Sequence, residues 1–187
     1  LRRSLQAVAD ESVAISTAPR NQPLPLSFAQ ERIWLLDELE GGQSAAYNMP
    51  AALHLQGRLD HAALLASLNE LIRRHEILRT TFPAQDGAPV QLIAASATLD
   101  LPQIDLRSLS PDLQEAQVKE AMHDEATRPF TLASGPLLRT TLLQLAEEEH
   151  ILLLTMHHVI SDGWSINLMI SEISALYAAF SQGKPSP

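Results

Sequence analysis

The fold class is decided by one stretch, residues 151–165, which reads Ile151-Leu152-Leu153-Leu154-Thr155-Met156-His157-His158-Val159-Ile160-Ser161-Asp162-Gly163-Trp164-Ser165. Its first four residues, Ile151-Leu152-Leu153-Leu154, are a continuous apolar run of the kind found in a strand that is buried on both faces. Helical apolar spacing begins at about Ser165 and continues to Phe180. The stretch therefore predicts a buried strand that leads through a short turn into a helix, where rigid elements can hold site residues on a loop.

Outward from this stretch, helical and strand patterns alternate along the chain. Helices are predicted from Ser27 to the Gly41-Gly42 pair, from Asp60 to His75, from Pro111 to Thr127 and from Ser165 to Phe180. Strands are predicted at 46–56, 78–82, 89–94, 101–106, 137–145 and 150–157. Interleaved helices and hairpins place the chain in the α/β or α+β class.

Local signals set several of the boundaries. Ser27 with Gln30 three residues later is the capping-box pattern that begins a helix. Asp86-Gly87 is a hairpin signal, and Pro50 indicates an edge strand or a bulge because proline lacks an amide proton. Residues 14–25 collect prolines and small polar residues, so residues 1–22 are interpreted as the end of an upstream element and a tether.

The composition excludes several classes of function. The chain has 187 residues, no cysteine and a formal net charge of −9. Without cysteine there is no disulfide scaffold, thiolate metal site or cysteine nucleophile, and a cytoplasmic location is expected. The acidic balance disfavours nucleic acid and anionic lipid as partners. No run approaches the roughly 18 apolar residues of a membrane helix, so we expect neither a nucleic-acid nor a membrane partner.

The two histidines at the end of the predicted strand are the candidate chemical groups. Side chains alternate across a strand, so His157 and His158 point to opposite sides and at most one faces a cleft. A neutral histidine there can accept a proton near pH 7. Asp162 lies in the turn beyond the strand, and Gly163 permits a tight turn with the backbone close to a ligand. The spacing fits one working histidine, one structural histidine and a carboxylate that holds the turn.

A simpler interpretation stays open on spacing alone. Both histidines can be core polar groups, and Asp162 can be only the N-cap of the last helix. No metal is predicted, because adjacent histidines on a strand cannot both reach one ion and no third ligand is evident. A serine hydrolase has little support, since Ser161 and Ser165 lack the Gly-x-Ser-x-Gly turn. The residues interpreted as non-catalytic are His54, His61, His123, His150 and Trp34.

Three segments resemble the motifs of the condensation domains of non-ribosomal peptide synthetases. They are Ser27-Phe28-Ala29-Gln30-Glu31-Arg32-Ile33-Trp34-Leu35-Leu36, Arg74-His75-Glu76-Ile77-Leu78-Arg79-Thr80-Thr81-Phe82 and Met156-His157-His158-Val159-Ile160-Ser161-Asp162-Gly163-Trp164-Ser165-Ile166. The first has Ile33 where the family usually has leucine or methionine, and the third carries the His-His-x-x-x-Asp-Gly signature. Together they cover residues 23–187 and favour a chemical role for His158 over the simpler interpretation.

The resemblance implies a chloramphenicol-acetyltransferase-like fold, an α/β chain arranged as an α+β two-layer sandwich. A full domain of this family has two such lobes in a V, with the active site in a tunnel between them. Residues 23–187 are expected to form the N-terminal lobe, with the C-terminal lobe absent. Residues 1–22 then resemble the end of an upstream carrier domain and its linker. The isolated lobe is expected to be inactive.

The implied reaction is peptide-bond formation between an upstream peptidyl or acyl thioester and a downstream aminoacyl thioester. Both substrates are carried on phosphopantetheine arms of carrier domains, and the lobe itself is expected to bind no cofactor. The implied partners are the upstream and downstream peptidyl carrier domains, the C-terminal lobe and the adjacent adenylation domain. Positioning two tethered substrates is itself a large part of catalysis.

The same resemblance assigns roles to individual residues. His158 is implied as the catalytic residue, which takes the proton of the attacking amine or positions that amine. His157 is implied as a scaffold residue and Asp162 as an ion-pairing group for an arginine of the second lobe. Gly163 would keep the backbone close to the tunnel. The residues assigned to the tunnel or to structural support are Trp164, Ser165, Arg74 and Arg79, the two arginines more as scaffold than as chemistry.

Three related functions are alternatives to condensation. An epimerisation domain shares the His-His-x-x-x-Asp-Gly core, but Trp164-Ser165 directly after Asp-Gly resembles the condensation version. A coenzyme A-dependent acyltransferase has the same fold, and the carrier-like segment at residues 1–22 disfavours it. A non-catalytic carrier-docking module would bind a tethered thioester without turnover, and the intact His158 disfavours that alternative.

Overall fold

The structure is a computed structural model that describes residues 18–19 and 22–187. The assignment of residues 1–22 to an upstream carrier domain and linker falls almost entirely outside the described residues and stays a prediction. None of the helices formed by the described residues combines the length and the apolar character that crossing a membrane requires.

Four long helices and four strands of one main sheet form the framework, and short elements join them. The elements are α1 (Phe28–Leu39), β1 (Asn48–Gln56), α2 (His61–Arg74), a 3-10 helix (Glu76–Arg79), β2 (Thr80–Thr81), β3 (Ala84–Gln85), β4 (Ala88–Pro89), β5 (Leu92–Ile93), β6 (Gln103–Asp105), α3 (Pro111–Thr127), β7 (Leu138–Ala146), β8 (Glu149–His157) and α4 (Gly163–Phe180). This mixture confirms the predicted class.

The main sheet has the strand order β1-β8-β7-β6. Strand β8 is antiparallel to both of its neighbours, and β6 is parallel to β7. The apolar run of β8 is therefore central in the sheet, which confirms the buried strand and the β7–β8 hairpin. Pro50 lies in β1 at the edge of this sheet. Among the described residues, no strand lies on the open side of β1, so the missing amide proton of proline costs no inter-strand hydrogen bond there.

The core lies on both faces of β8 because its side chains alternate. Leu152 and Leu154 join the larger cluster with α2 and α4, which pack against each other. Leu153 points to the other face and packs with Leu143 and with Val118 of α3. Burying β8 on both faces explains its continuous apolar sequence and gives the residues after it a rigid base.

Side-chain caps confirm the predicted starts of α1 and α2. Ser27 Oγ accepts from the Gln30 amide, and Gln30 Oε1 accepts from the Ser27 amide, which completes the capping box. Asp60 accepts from the Ala63 amide at the start of α2. Helix α4 begins two residues earlier than predicted, because Asp162 rather than a later residue is its N-cap.

The segment between α2 and β6 differs most from prediction. Residues 78–82 and 89–94 were expected to be two continuous strands, but they form a 3-10 helix and two-residue strands. Pro83 and Pro89 contribute no amide donors, which limits the ladder between the segments. The predicted turn is present: Asp86 and Gly87 have φ of 52° and 81° and join β3 to β4.

Candidate active site

The two histidines lie at the last residue of β8 and the first residue of the following turn. His157 is only 1% exposed, whereas His158 is exposed. The prediction that the two side chains point to opposite sides is therefore confirmed, with His158 as the accessible one. Since the central strand β8 is hydrogen-bonded on both sides, the backbone that carries both residues is rigid.

Two contacts define the state of His158. Its backbone N–H donates to the Tyr47 carbonyl at 2.9 Å, which joins the turn to the segment before β1. Its Nδ1 lies 2.6 Å from the Ser161 carbonyl oxygen. A carbonyl oxygen can only accept, so Nδ1 carries the proton in the neutral ring. The lone pair is then on Nε2, which can accept a proton or a hydrogen bond from a substrate.

His157 is built into the scaffold. Its Nδ1 accepts from the Val159 N–H at 3.1 Å, so the proton of the neutral ring is on Nε2. The rings of Tyr47 and Phe130 each lie 6.0 Å from the His157 ring, centroid to centroid. Burial, and after it the charge of His158, lower the pKa of His157 to about 4. The ring is thus neutral near pH 7 and holds the turn instead of moving protons.

Asp162 is the N-cap of α4. Its Oδ1 accepts from the Ser165 amide at 2.8 Å and from the Ser165 hydroxyl at 2.6 Å. These bonds, the hydroxyl first, lower the pKa of the carboxyl, so it is ionised at neutral pH. The exposed carboxylate therefore fixes the start of α4, and its pairing with an arginine of a second lobe stays a prediction.

Gly163 is the first residue of α4, and its backbone does not need glycine. Its φ is not positive, and a Cβ added there would meet no atom within 4 Å. The turn is formed by the Asp162 cap in ordinary extended and helical conformations, so its backbone does not require glycine, and a close approach of Gly163 to a ligand stays a prediction. The neighbouring Trp164 is 83% exposed, so the start of α4 presents an open surface.

The two predicted support arginines make scaffold contacts. Arg74 Nε lies 3.1 Å from Glu70 Oε1, and its Nη2 donates to the Ser186 hydroxyl at 2.6 Å. Arg79 donates from Nη1 to the Ala94 carbonyl and pairs with Glu76 at 3.7 Å. These contacts tie the end of α2 and the 3-10 helix to their surroundings and fit the structural role predicted for both.

Gln30 is a site-supporting residue that sequence reasoning interpreted only as part of a cap. Its Nε2 donates to the Val159 carbonyl at 3.3 Å, while its Oε1 serves the capping box. One side chain thus joins the first motif to the turn of the third. The second motif joins α4 through His75, whose Nε2 lies 2.9 Å from Glu172 Oε2. The first motif is therefore bonded to the His158 turn, and the second is bonded to the helix that follows that turn.

The site around His158 does not coincide with a large cavity. Two grooves of about 640 Å³ each lie between α3 and the sheet and beside residues 90–95, and neither is lined by His158. A small cavity of about 130 Å³ lies behind the turn and is lined in part by Ser161, Ser165 and Met156. Within the described part of the chain, no group of three or more His, Asp or Glu side chains is arranged to hold a metal ion.

Comparison with known proteins identifies relatives over nearly the whole chain. Chondramide synthase CmdD of Chondromyces crocatus is 48% identical over 169 residues, which cover 90% of this chain and 4% of that protein. Malpinin synthetase of Mortierella alpina is 44% identical over 175 residues, which cover 94% of this chain and 2% of that protein. The chain thus spans a small fraction of these large synthetases.

Solved structures share the fold. The starter condensation domain of rhizomide synthetase RzmA matches with a TM-score of 0.81 at 26% identity, over 89% of this chain and 41% of that one. The X-domain in its complex with OxyB from teicoplanin biosynthesis matches with a TM-score of 0.78 at 31% identity, over 91% of this chain and 36% of that one. The family profile named Condensation domain matches residues 20–187. The chain therefore belongs to the condensation-domain family.

Proposed function

We propose that this chain is the N-terminal lobe of a condensation domain that forms peptide bonds in a non-ribosomal peptide synthetase. The observation that carries the proposal is the exposure of His158 together with its tautomer. It emerges from the central strand into an exposed position, and the Ser161 carbonyl sets its tautomer so that Nε2 is the acceptor. Such an acceptor suits a reaction in which an amine loses a proton as it attacks a carbonyl.

In the proposed reaction, the amine of a downstream aminoacyl thioester attacks the carbonyl carbon of an upstream peptidyl or acyl thioester. The C–N bond forms, the C–S bond breaks, and the sulfur of the upstream phosphopantetheine arm leaves with the electron pair. His158 Nε2 accepts the amine proton or orients the amine by accepting its hydrogen bond. The proton ends on the released thiol, so the histidine returns to its neutral form.

The relatives support this choice among the members of the fold. Two of them are a chondramide synthase and a malpinin synthetase. The RzmA starter condensation domain, in a mutant form that matches at a TM-score of 0.81, is described in complex with C8-CoA and Leu-SNAC. An acyl thioester and an aminoacyl thioester together are the two substrate classes that the proposal requires.

The other roles follow from the positions of the residues. Asp162 is proposed to pair with an arginine of a C-terminal lobe, because its carboxylate is ionised and exposed. Trp164 and Ser165 are proposed to line the wall of the tunnel between the lobes, close to Gly163. The proposed partners are the upstream and downstream carrier domains, the C-terminal lobe and an adjacent adenylation domain.

The test is a transfer assay with loaded carriers, followed by intact-protein mass spectrometry for the transfer and by chiral chromatography of the hydrolysed acyl group for its configuration. The protein is a condensation domain that carries this lobe together with a second lobe, with an acyl or peptidyl upstream carrier and an aminoacyl downstream carrier. Condensation predicts that the upstream mass moves onto the downstream carrier. Inversion at one stereocentre without transfer would support epimerisation instead, and carrier binding without any mass change would support a docking module.

A further inference from the structure

A largely buried cation stacks on an aromatic ring that itself contacts the scaffold histidine, and nothing in the proposed reaction uses this cation. The guanidinium carbon of Arg139, in β7, lies 3.7 Å from the centroid of the Phe130 ring. The same guanidinium donates to Glu125 Oε2 at 3.1 Å, and to the carbonyls of Arg128 at 2.7 Å and Pro129 at 3.2 Å. The cation is therefore held in one place by acceptors around the end of α3, with its flat face on an aromatic ring.

Phe130 connects the Arg139 guanidinium to His157. The two rings meet edge to face, with centroids 6.0 Å apart and an interplanar angle of 83°. From the opposite side, Asn48 of β1 donates to the carbonyls of Ala126 and Arg128 at 2.8 and 2.9 Å. Asn48 is also the residue paired with His157 across the β1–β8 ladder. The segment after α3 is thus clamped from two strands, and the clamp places the aromatic ring against the histidine.

His157 in turn sets the turn that carries His158. Its Nδ1 accepts from the Val159 N–H, and this bond spans the backbone on which the next histidine is carried. A movement of the His157 ring would therefore move Val159 and the exposed imidazole with it. Because its Nε2 has no hydrogen-bond partner among the described residues, the rest of the ring is held by packing, with Tyr47 and Phe130 as its aromatic neighbours.

We propose that Arg139 is a positioning residue for the reaction: its guanidinium holds the Phe130 ring against His157, and this contact fixes the turn that presents His158. The inference rests on the proposed function for its effect on turnover. The structural part of the inference, that Arg139 determines the position of the His157 ring, does not depend on that function. Placement errors of about 1 Å in a reacting group can cost up to about 100-fold in rate.

The test uses Arg139→Ala in a condensation domain that carries both lobes, with Arg128→Ala as the matched control. Arg128 pairs with the same carboxylate, Glu125, at 2.7 Å, but its side chain is 57% exposed and is not stacked on the Phe130 ring. The readouts are kcat and KM for the loaded carriers, together with the imidazole NMR resonances of His157. We expect kcat to fall at least tenfold in Arg139→Ala with KM within twofold, the His157 resonances to shift, and both readouts to stay unchanged in Arg128→Ala.

Two further substitutions, made singly and together, keep the proposal testable if Arg139→Ala does not fold. Arg139→Lys retains a cation over the ring and should recover part of the lost kcat. Phe130→Leu should reproduce the loss, and Phe130→Leu combined with Arg139→Lys should be no slower than Phe130→Leu alone, because both residues act through one contact. Unshifted His157 resonances, or a kcat within twofold of the unmodified domain, would overturn the proposal. A His158→Ala domain with full turnover would instead overturn the proposed function and leave the resonance test intact.

Discussion

Replacing His157 by asparagine should change how the stability of the protein depends on pH. Asparagine can still accept from the Val159 N–H through Oδ1, but it cannot be protonated. In the native protein, burial and the charge of His158 lower the pKa of His157 to about 4. In the unfolded chain its pKa is the ordinary value of about 6.5. The contribution of neutral His157 to the free energy of unfolding is therefore complete above about pH 6.5, and it is lost as the pH falls toward 4 because the unfolded chain takes up the proton first.

The size of the effect follows from the difference between the two pKa values. A difference of about 2.5 units corresponds to about 3 kcal/mol in total, of which about 2 kcal/mol is lost between pH 7.5 and pH 5. His150, whose pKa is also lowered, first by burial, titrates in both proteins and cancels in the comparison. We expect His157→Asn to be less stable at pH 7.5, with a deficit that shrinks by about 2 kcal/mol at pH 5.

Urea unfolding at a series of pH values measures this difference, and an NMR titration of the His157 ring measures its native pKa directly. The matched control is His158→Ala, in which burial, the larger cause of the low pKa, is retained. A stability difference that does not vary with pH would refute the reasoning, as would a native His157 pKa within half a unit of the ordinary value.

Four further substitutions test the caps, the motif link and the core. Ser27→Ala removes the α1 cap and should cost about 1 kcal/mol in urea unfolding; an unchanged midpoint would contradict the capping box. Gln30→Ala also breaks the bond to the Val159 carbonyl, so its transfer rate should fall severalfold below that of Ser27→Ala, and equal rates would remove the proposed motif link. Asp162→Asn keeps the helix cap, so stability should hold while transfer falls at least tenfold if the carboxylate pairs with an arginine; full transfer would leave only the cap. Leu152→Ala should cost about 2–5 kcal/mol, and a cost below about 1 kcal/mol would contradict its central burial.

Features that depend on nearby residues could be predicted from the sequence. The capping pair Ser27 and Gln30 is three residues apart, and the same holds for Asp162 and Ser165 in the helix after the site. The central position of β8 follows from its continuous apolar run, because only a strand buried on both faces needs one. The opposite orientation of His157 and His158 follows from strand geometry alone.

Features that depend on register could not be predicted. The antiparallel pairing of Asn48 with His157 brings Tyr47 next to the site across more than a hundred residues of sequence. Phe130 reaches His157 from the segment after α3, to which Arg139 on β7 and Asn48 on β1 both donate hydrogen bonds. No local pattern encodes either contact, since register is set by which faces are buried in the assembled sheet.

Gly163 is a position where the residue type alone does not reveal what the backbone needs. Glycine suggested a constrained turn, but the turn is made by the Asp162 cap, and the space beside the Gly163 Cα is open.

The central claim, that His158 acts on the attacking amine, is tested most directly by the single-turnover rate of chain transfer. The measurement compares the unmodified two-lobed domain with His158→Ala, with both carriers loaded, and uses His123→Ala on the exposed side of α3 as the histidine control. General acid–base groups typically contribute about 100- to 10,000-fold. We predict a loss of at least about 100-fold for His158→Ala at an unchanged melting temperature, with no loss for the control. A His158→Ala rate within twofold of the unmodified domain would contradict the account.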